Sequence, residues 1–130
     1  MKKAILTLAL VVVLVSTIAL SALAAANVSF TVDGISCSGG ISYFNANNMN
    51  PFDSDWAEAT TTAGSKVQAI SATARLMSGS TEVKKATVTN YNTTKATAKA
   101  SNYGTATTGG KGIHSVSNNG ASSGDKNTDT

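Results

Sequence analysis

The chain has 130 residues, carries a formal net charge of +3, and only 13% of its residues are charged. This length is enough for one small domain. One cysteine and one histidine cannot supply the four ligands of a structural zinc site, and a single arginine with few aromatic residues is not typical of a nucleic-acid-binding protein.

The first 26 residues predict a secretory signal peptide. A short cationic start precedes an almost unbroken apolar run over residues 4–20, and small residues follow up to Ala26. Cleavage after Ala24 or Ala26 fits the small-x-small pattern of exporting peptidases, and we favour Ala26. A retained membrane anchor is the alternative, because the apolar stretch is long enough to span a bilayer. We therefore expect a secreted or cell-surface protein with no transmembrane segment in its mature part.

Removing the leader lowers the formal net charge from +3 to +1 and leaves 104 residues with an uneven charge. Residues 66–111 hold seven cations and a single acid, Glu82. Such a segment is typical either of a solvated lysine face that protects strand edges or of a surface that attracts anionic polymers. The candidate binding residues are Arg75, Lys84, Lys95 and Lys99. The expected partner is an anionic cell-envelope polymer or a protein.

Alternation of apolar and polar residues predicts short strands from residue 28 onward. The first strand covers residues 28–33. A second strand over residues 35–44 is interrupted by Gly39-Gly40, and residues 45–51 predict a polar loop.

The stretch at residues 54–59 allows two interpretations. Ser54 fits the cap of a short helical turn, and a strand that carries Trp56 into the core fits equally well. The later pattern is clearer and places a turn near Asn92. The remaining predicted strands are 65–77, 82–91, 95–100 and 111–117.

These strands recur every 12 to 16 residues and predict an all-β protein. The simplest assembly is an antiparallel meander that forms a small sandwich or barrel over residues 27–117, after the signal-peptide helix. Because alanine and valine supply most apolar positions, the core should be thin. Residues 118–130 contain no apolar residue larger than alanine and predict a disordered polar tail.

Two residue types have reactive side chains and occur once each, at Cys37 and His114. A thiol–imidazole pair is formally possible, but the residues around Cys37 carry no protease signature. Cys37 is expected to be a small buried residue, with an intermolecular disulfide as the alternative. His114 is expected to be an ordinary strand residue, with pH sensing as the alternative. We predict a non-enzymatic protein that needs no cofactor.

Three acidic side chains lie close together in the sequence, at Asp53, Asp55 and Glu58. Oxygen ligands at this spacing suit Ca²⁺, but the glycine and the later glutamate of a helical calcium loop are missing. A turn with capping acids is therefore favoured, and no metal site is predicted.

Three short segments between Gly64 and Gly120 carry a family resemblance. They are Gly64-Ser65-Lys66, Ala86-Thr87-Val88-Thr89 with the turn Asn90-Tyr91-Asn92, and His114-Ser115-Val116. This half of the mature chain resembles small exported bacterial β-sandwich proteins, including the lactococcin-like bacteriocins. The resemblance implies a secreted toxin that acts at the cell envelope of related bacteria, and it assigns no active-site residue.

The leading expectation for function is a binding or structural role outside the cytoplasm, at the cell surface or between cells. Unpaired strand edges would also permit self-association. A lactococcin-like bacteriocin is the alternative.

Overall fold

The structure is a computed structural model that describes residues 23–46 and 54–130. These residues form an antiparallel sheet of seven strands without a helix, so the predicted all-β class is confirmed. Within these ranges no helix is long and apolar enough to cross a membrane. Most of the predicted signal-peptide helix lies outside the described residues. The strands are β1 (Leu23–Val32), β2 (Ile35–Phe44), β3 (Asp55–Ser78), β4 (Thr81–Asn102), β5 (Gly109–Asn118), β6 (Ala121–Ser122) and β7 (Lys126–Asp129).

One long hairpin, made of the 24 residues of β3 and the 22 residues of β4, organises the fold. Residues 55–59 of the ambiguous stretch are the start of β3, and the turn predicted near Asn92 lies inside β4. The register shifts between Thr62 and Val67, where four residues of β3 face a single residue of β4. An excess of residues in one strand bends a hairpin. The bend therefore divides both strands into two halves.

β2 and β5 pair with different halves of β3, on the side opposite β4. β2 pairs with residues 56–63 and β5 with residues 69–77. β1 extends the sheet beyond β2, whereas β6 and β7 extend it beyond β5. The strand order differs from a simple meander, since β5 pairs with β3 and not with β4. The sheet does not close on itself, and its two ends pack as two layers.

We call β1, β2 and residues 55–62 and 95–102 the first layer, and the rest of the sheet the second layer. Small residues line the contact between them. A Cβ atom built on Gly110 would lie 3.0 Å from the Cβ of Ala57 and 3.3 Å from that of Tyr43. Seven of the fifteen buried core residues are alanine, as the sequence composition predicts. The layers therefore approach closely around a thin core.

The amino-terminal boundary of the sheet differs from the predicted domain start at Asn27. β1 begins at Leu23, and Ala24 and Ala26 pair with Tyr43 and Ile41 and pack against the core. The alternation that predicts a strand from residue 28 continues through these alanines. The small residues assigned to the cleavage region thus have the pattern of a strand as well.

The carboxy-terminal residues also differ from the prediction of a disordered tail over 118–130. They contain β6 and β7, and Thr128 in β7 is buried. The backbone N–H of Thr130 donates to the carbonyl of Gly110 at 3.0 Å. β7 is stabilised by hydrogen bonds to β5 and by one buried hydroxyl group. Because it buries no apolar side chain, its sequence has no hydrophobic pattern that predicts a strand.

Candidate functional site

The first layer presents a polar surface on its solvent side. Ala57, Ala59 and Thr61 of β3 point into the core, so the residues between them point outward. We call the surface formed by these outward positions the outer face. On β2, β3 and β4 it consists of Ser36, Ser38, Gly40, Ser42, Phe44, Trp56, Glu58, Thr60, Thr62, Lys95, Thr97, Lys99 and Ser101.

A stacked aromatic pair lies at one end of the outer face. Phe44 and Trp56 are register partners on β2 and β3, with ring centroids 5.6 Å apart and ring planes inclined by 17°. The Nζ atom of Lys99 on β4 lies 4.3 Å from the centroid of the Trp56 ring. A cation over a tryptophan face is attracted by the ring quadrupole. Two rings and one ammonium group therefore form a single surface unit.

Lys99 lies opposite a carboxylate residue on the neighbouring strand, but the two side chains form no ion pair. Glu58 is the cross-strand partner of Lys99. In the part of the chain that the structure describes, the ion pairs join Arg75 to Glu82 and Lys111 to Asp129, each at 3.2 Å. The charge of Lys99 is thus directed at Trp56 and remains available to an anion.

Ordered hydroxyl groups cover the middle of the outer face. Ser38 and Thr62 share a hydrogen bond of 2.7 Å, and Thr60 and Thr97 share one of 3.1 Å. Lys95 is the register partner of Thr62. It lies four residues from Lys99 on the same side of β4, which corresponds to about 13 Å. The face therefore combines hydroxyl groups, two amines and one aromatic stack.

The four predicted binding residues do not form one surface. Only Lys95 and Lys99 share the outer face. Arg75 lies on the solvent side of the second layer, between its register partners Lys85 and Lys111, and its Nε atom is paired with Glu82. Lys84 is exposed opposite the buried Leu76, so it leaves β4 on the inner side. Sequence position along the basic segment does not indicate which layer a cation belongs to.

Cys37 is buried on the inner side of β2, with 5% of its surface exposed. Its thiol donates to the carbonyl oxygen of Ile35 at 3.4 Å. Burial raises the pKa of the thiol, and the nearby backbone of Val32 lowers it by a smaller amount. An intermolecular disulfide at this position would require the edge of the first layer to open.

His114 is fully buried between the two layers, and both of its ring nitrogens are bonded. The Thr61 hydroxyl donates to the carbonyl of Ser71 at 2.8 Å, so it accepts from the Nδ1–H of His114 at 2.9 Å. The Thr128 hydroxyl then donates to Nε2, also at 2.9 Å. Burial lowers the pKa of the imidazole. His114 is therefore a neutral structural residue whose nitrogens are already used.

The acidic residues near the start of β3 point to opposite sides of the strand. Asp55 accepts hydrogen bonds from the backbone N–H of Ala46 and from the Thr107 hydroxyl, whereas Glu58 lies on the outer face. Asp53 lies outside the described residues. In the described ranges no group of three His, Cys, Asp or Glu side chains could hold a metal ion. Asp55 is the first residue of β3 and not part of the predicted turn, and its carboxylate joins this strand to Ala46 and Thr107.

Sequence reasoning missed the aromatic pair as a surface feature. The sequence pattern allows Trp56 either in a helical turn or in the core, but in the structure this residue is half-buried on the outer face. The signal lies in its neighbours: Ala57 and Ala59 are small and alternate with Trp56 and Glu58. In a core built from alanine, the small residues of a strand mark the inward side.

Comparison of the chain with protein-family models, with curated proteins and with solved structures finds no match.

Proposed function

We propose that this protein works by contact outside the cytoplasm, as a non-enzymatic protein whose outer face binds an anionic, hydroxyl-rich polymer of the cell envelope. The observation that carries the proposal is the Lys99 ammonium above the stacked rings of Trp56 and Phe44. The unit adjoins rows of serine and threonine on a continuous sheet surface.

The groups on the outer face match the parts of such a polymer. An aromatic ring offers an apolar surface for the carbon-bound face of a sugar or polyol. Lysine is a compact point charge that pairs with phosphate or carboxylate groups. Lys95 and Lys99, about 13 Å apart along β4, would contact successive charges of one extended chain. Ser38, Thr60 and Thr97 supply hydroxyl groups between them.

The positions of the two reactive residues support a contact role rather than turnover. A nucleophile needs a base within hydrogen-bond reach and access to substrate. Cys37 is buried, and the two ring nitrogens of His114 are bonded to Thr61 and Thr128.

Titration with polymers of defined charge tests the proposal, because Trp56 is the single tryptophan and reports on its own site. We expect poly(glycerol phosphate) or polygalacturonate to change the fluorescence of Trp56, and neutral dextran to have little effect. Lys99→Ala should weaken binding by about fivefold, since it removes the cation from the aromatic unit. Lys84→Ala is the matched control, because this lysine leaves the same strand on the inner side.

Binding should weaken as salt concentration rises, because exposed charges are screened. Equal affinity of the wild type and Lys99→Ala, or an equal loss in Lys84→Ala, would contradict the proposal. Inhibition of the growth of neighbouring bacteria by the purified protein, without polymer binding, would instead favour the bacteriocin alternative.

A further inference from the structure

The described sheet has two long edges, β1 and β4, that differ in charge. β4 carries four lysines, and charged side chains on an edge oppose pairing with another chain. β1 has no charged residue and no proline, and it pairs with β2 over ten consecutive residues without a bulge. An edge that is long, regular and uncharged is one that accepts a further strand.

The turn between β1 and β2 determines which amides of β1 face the open edge. Asp33 and Gly34 have φ angles of 50° and 74°, as in a two-residue type I′ turn. The flanking pair, Val32 and Ile35, is then a hydrogen-bonded pair, and such pairs alternate along the hairpin. The N–H groups of even-numbered residues therefore point to β2. Those that point to the open edge beyond Ala26 belong to Asn27, Ser29 and Thr31.

We propose that β1 of a second copy of this chain pairs antiparallel with β1 across a twofold axis at Ser29. In this register Ser29 faces Ser29 of the second copy, and Asn27 faces Thr31 of the second copy. All three outward N–H groups are used in this register. Cleavage after Ala24 leaves them unchanged, and cleavage after Ala26 turns the N–H of Asn27 into a terminal ammonium group, which still donates. Twofold pairing of β1 brings no charged side chains together, whereas β4 carries four lysines.

The side chains on the inner side of β1 favour the same register. Val28 and Phe30 are each half-buried, although both lie on the core side of the strand. A twofold axis at Ser29 places Phe30 of one copy directly opposite Val28 of the other. Aromatic and β-branched side chains form favourable cross-strand pairs. Pairing would thus cover apolar surface that the described part of a single copy leaves exposed.

This pairing would join the first layers of two copies into one eight-stranded sheet. Because the axis is perpendicular to the sheet, both outer faces lie on the same side. Trp56 is level with Leu23, six residues from the axis at Ser29, so the two Trp56 residues would be about 24 Å apart across the strands and about 40 Å apart along them. Two sites on one surface raise the affinity for a long polymer without any new contact. This consequence rests on the proposed function, whereas the pairing itself does not.

Sedimentation equilibrium tests the pairing. The full chain is expressed and is purified as the expression host processes it, with or without removal of the leader. We expect a reversible dimer. Ser29→Pro should weaken it by at least about tenfold, because proline removes an outward amide in both copies. The melting temperature of dilute protein should stay nearly unchanged, since the N–H of Ser29 does not bond to β2. Phe30→Pro is the matched control, because the N–H of residue 30 points to β2 and not to the open edge. This substitution removes a hydrogen bond within the sheet and should lower the melting temperature sharply.

A charge exchange tests the twofold register separately. Ser29→Lys and Ser29→Glu should each weaken the dimer, and an equimolar mixture of the two should restore it as a heterodimer. Thr94→Lys adds the same charge to an exposed position of β4 and should leave the dimer unchanged. A wild-type protein that stays monomeric at millimolar concentration, or a dimer unaffected by Ser29→Pro, would overturn the inference. Polymer binding by such a monomer would leave the proposed function intact.

Discussion

His114 occupies a space that two glycines leave open. A Cβ atom on Gly39 of β2 would lie 2.2 Å from Cγ of the imidazole, and one on Gly112 would lie 2.7 Å from Nε2. Neither position requires glycine for its φ angle. The buried ring therefore depends on the absence of two methyl groups. The sequence shows only that both glycines lie inside strand patterns. A glycine there suggests a bulge or a close backbone approach, but it does not identify the residue that approaches.

Substitution of the two adjacent glycines of β2 should have unequal effects. Gly39→Ala forces the His114 ring out of its hydrogen bonds, and we expect it to lower the free energy of unfolding by about 2–4 kcal/mol. Gly40→Ala would contact the Asn27 Oδ1 atom, 2.7 Å from the new Cβ, at the outer face where this side chain can turn away. It should cost less than about 1 kcal/mol. Urea denaturation compares them, and equal losses would contradict the role of Gly39.

The residue scale also shows where charge patterns mislead. The basic segment includes Lys95 and Lys99, which share a face. It equally includes Arg75 and Lys84, which the fold directs elsewhere. Alternation shows which residues of one strand share a side. Which sides of two different strands form the same face of the sheet depends on how the strands pair. Alternation could therefore place Lys95 and Lys99 on one side of β4, whereas the relation of that side to the other strands could not be predicted.

At the scale of elements, β7 shows how a strand can lack a sequence signal. Its four residues, Lys126–Asp129, are polar, and only Thr128 is buried. The strand pairs with residues 111–114 of β5 and places Thr128 on the Nε2 atom of His114. Hydrophobic periodicity cannot detect an element that is stabilised by backbone hydrogen bonds and one hydroxyl. The prediction of disorder failed for this reason.

Removal of β7 should therefore destabilise the whole domain. A chain ending at Gly124 loses the Thr128–His114 bond and the bonds between Thr130 and Gly110. We expect the free energy of unfolding to fall by about 2–4 kcal/mol, because a buried imidazole nitrogen loses its donor. Asp129→Ala removes only the exposed pair with Lys111 and should cost about 0.5 kcal/mol or less. An unchanged melting temperature after truncation would show that β7 is dispensable.

At the scale of the whole molecule, the bent hairpin and the buried His114 couple the two layers. The imidazole on β5 bonds Thr61 of the first layer and Thr128 at the end of the second. Both partners are uncharged hydroxyl groups, so neither offsets the cost of burying a charged ring. The folded state therefore favours the neutral imidazole.

The stability of the domain should consequently fall in mild acid. Burial holds the pKa of folded His114 below its ordinary 6.5, so below that pH the unfolded chain binds more protons. The contribution is complete above about pH 6.5 and is lost, by up to about 1.4 kcal/mol per pH unit, as the pH falls toward the folded pKa. Chemical denaturation between pH 7.5 and 5.5 measures this loss.

His114→Gln should be less stable overall but should lose the pH dependence in that window. Cys37 does not contribute there, because burial raises its pKa further above neutrality. An imidazole resonance of the folded protein that titrates at or above pH 6.5 would contradict the expected direction.

The amino-acid sequence by itself determined the all-β class, the thin alanine core and the alternation within most strands. These properties depend on which residues are apolar and on a period of two, both of which are local. Tertiary structure alone decided that residues 55–59 continue into the predicted strand 65–77, that the predicted strands 82–91 and 95–100 are one strand, that β5 pairs with β3, and that β7 exists. Each of these depends on hydrogen bonds between residues distant in sequence. Alternation within one strand does not specify the strand with which it pairs.

The candidate site divides in the same way. Lys95 and Lys99 follow from alternation along β4, whereas Trp56 and Phe44 come together with Lys99 only when β2, β3 and β4 lie side by side. The stacked pair and the cation above it require side chains of three different strands to lie within a few ångströms of one another. Their register is set by the turn, the bulge and the close packing of the two layers, which only the folded molecule brings together.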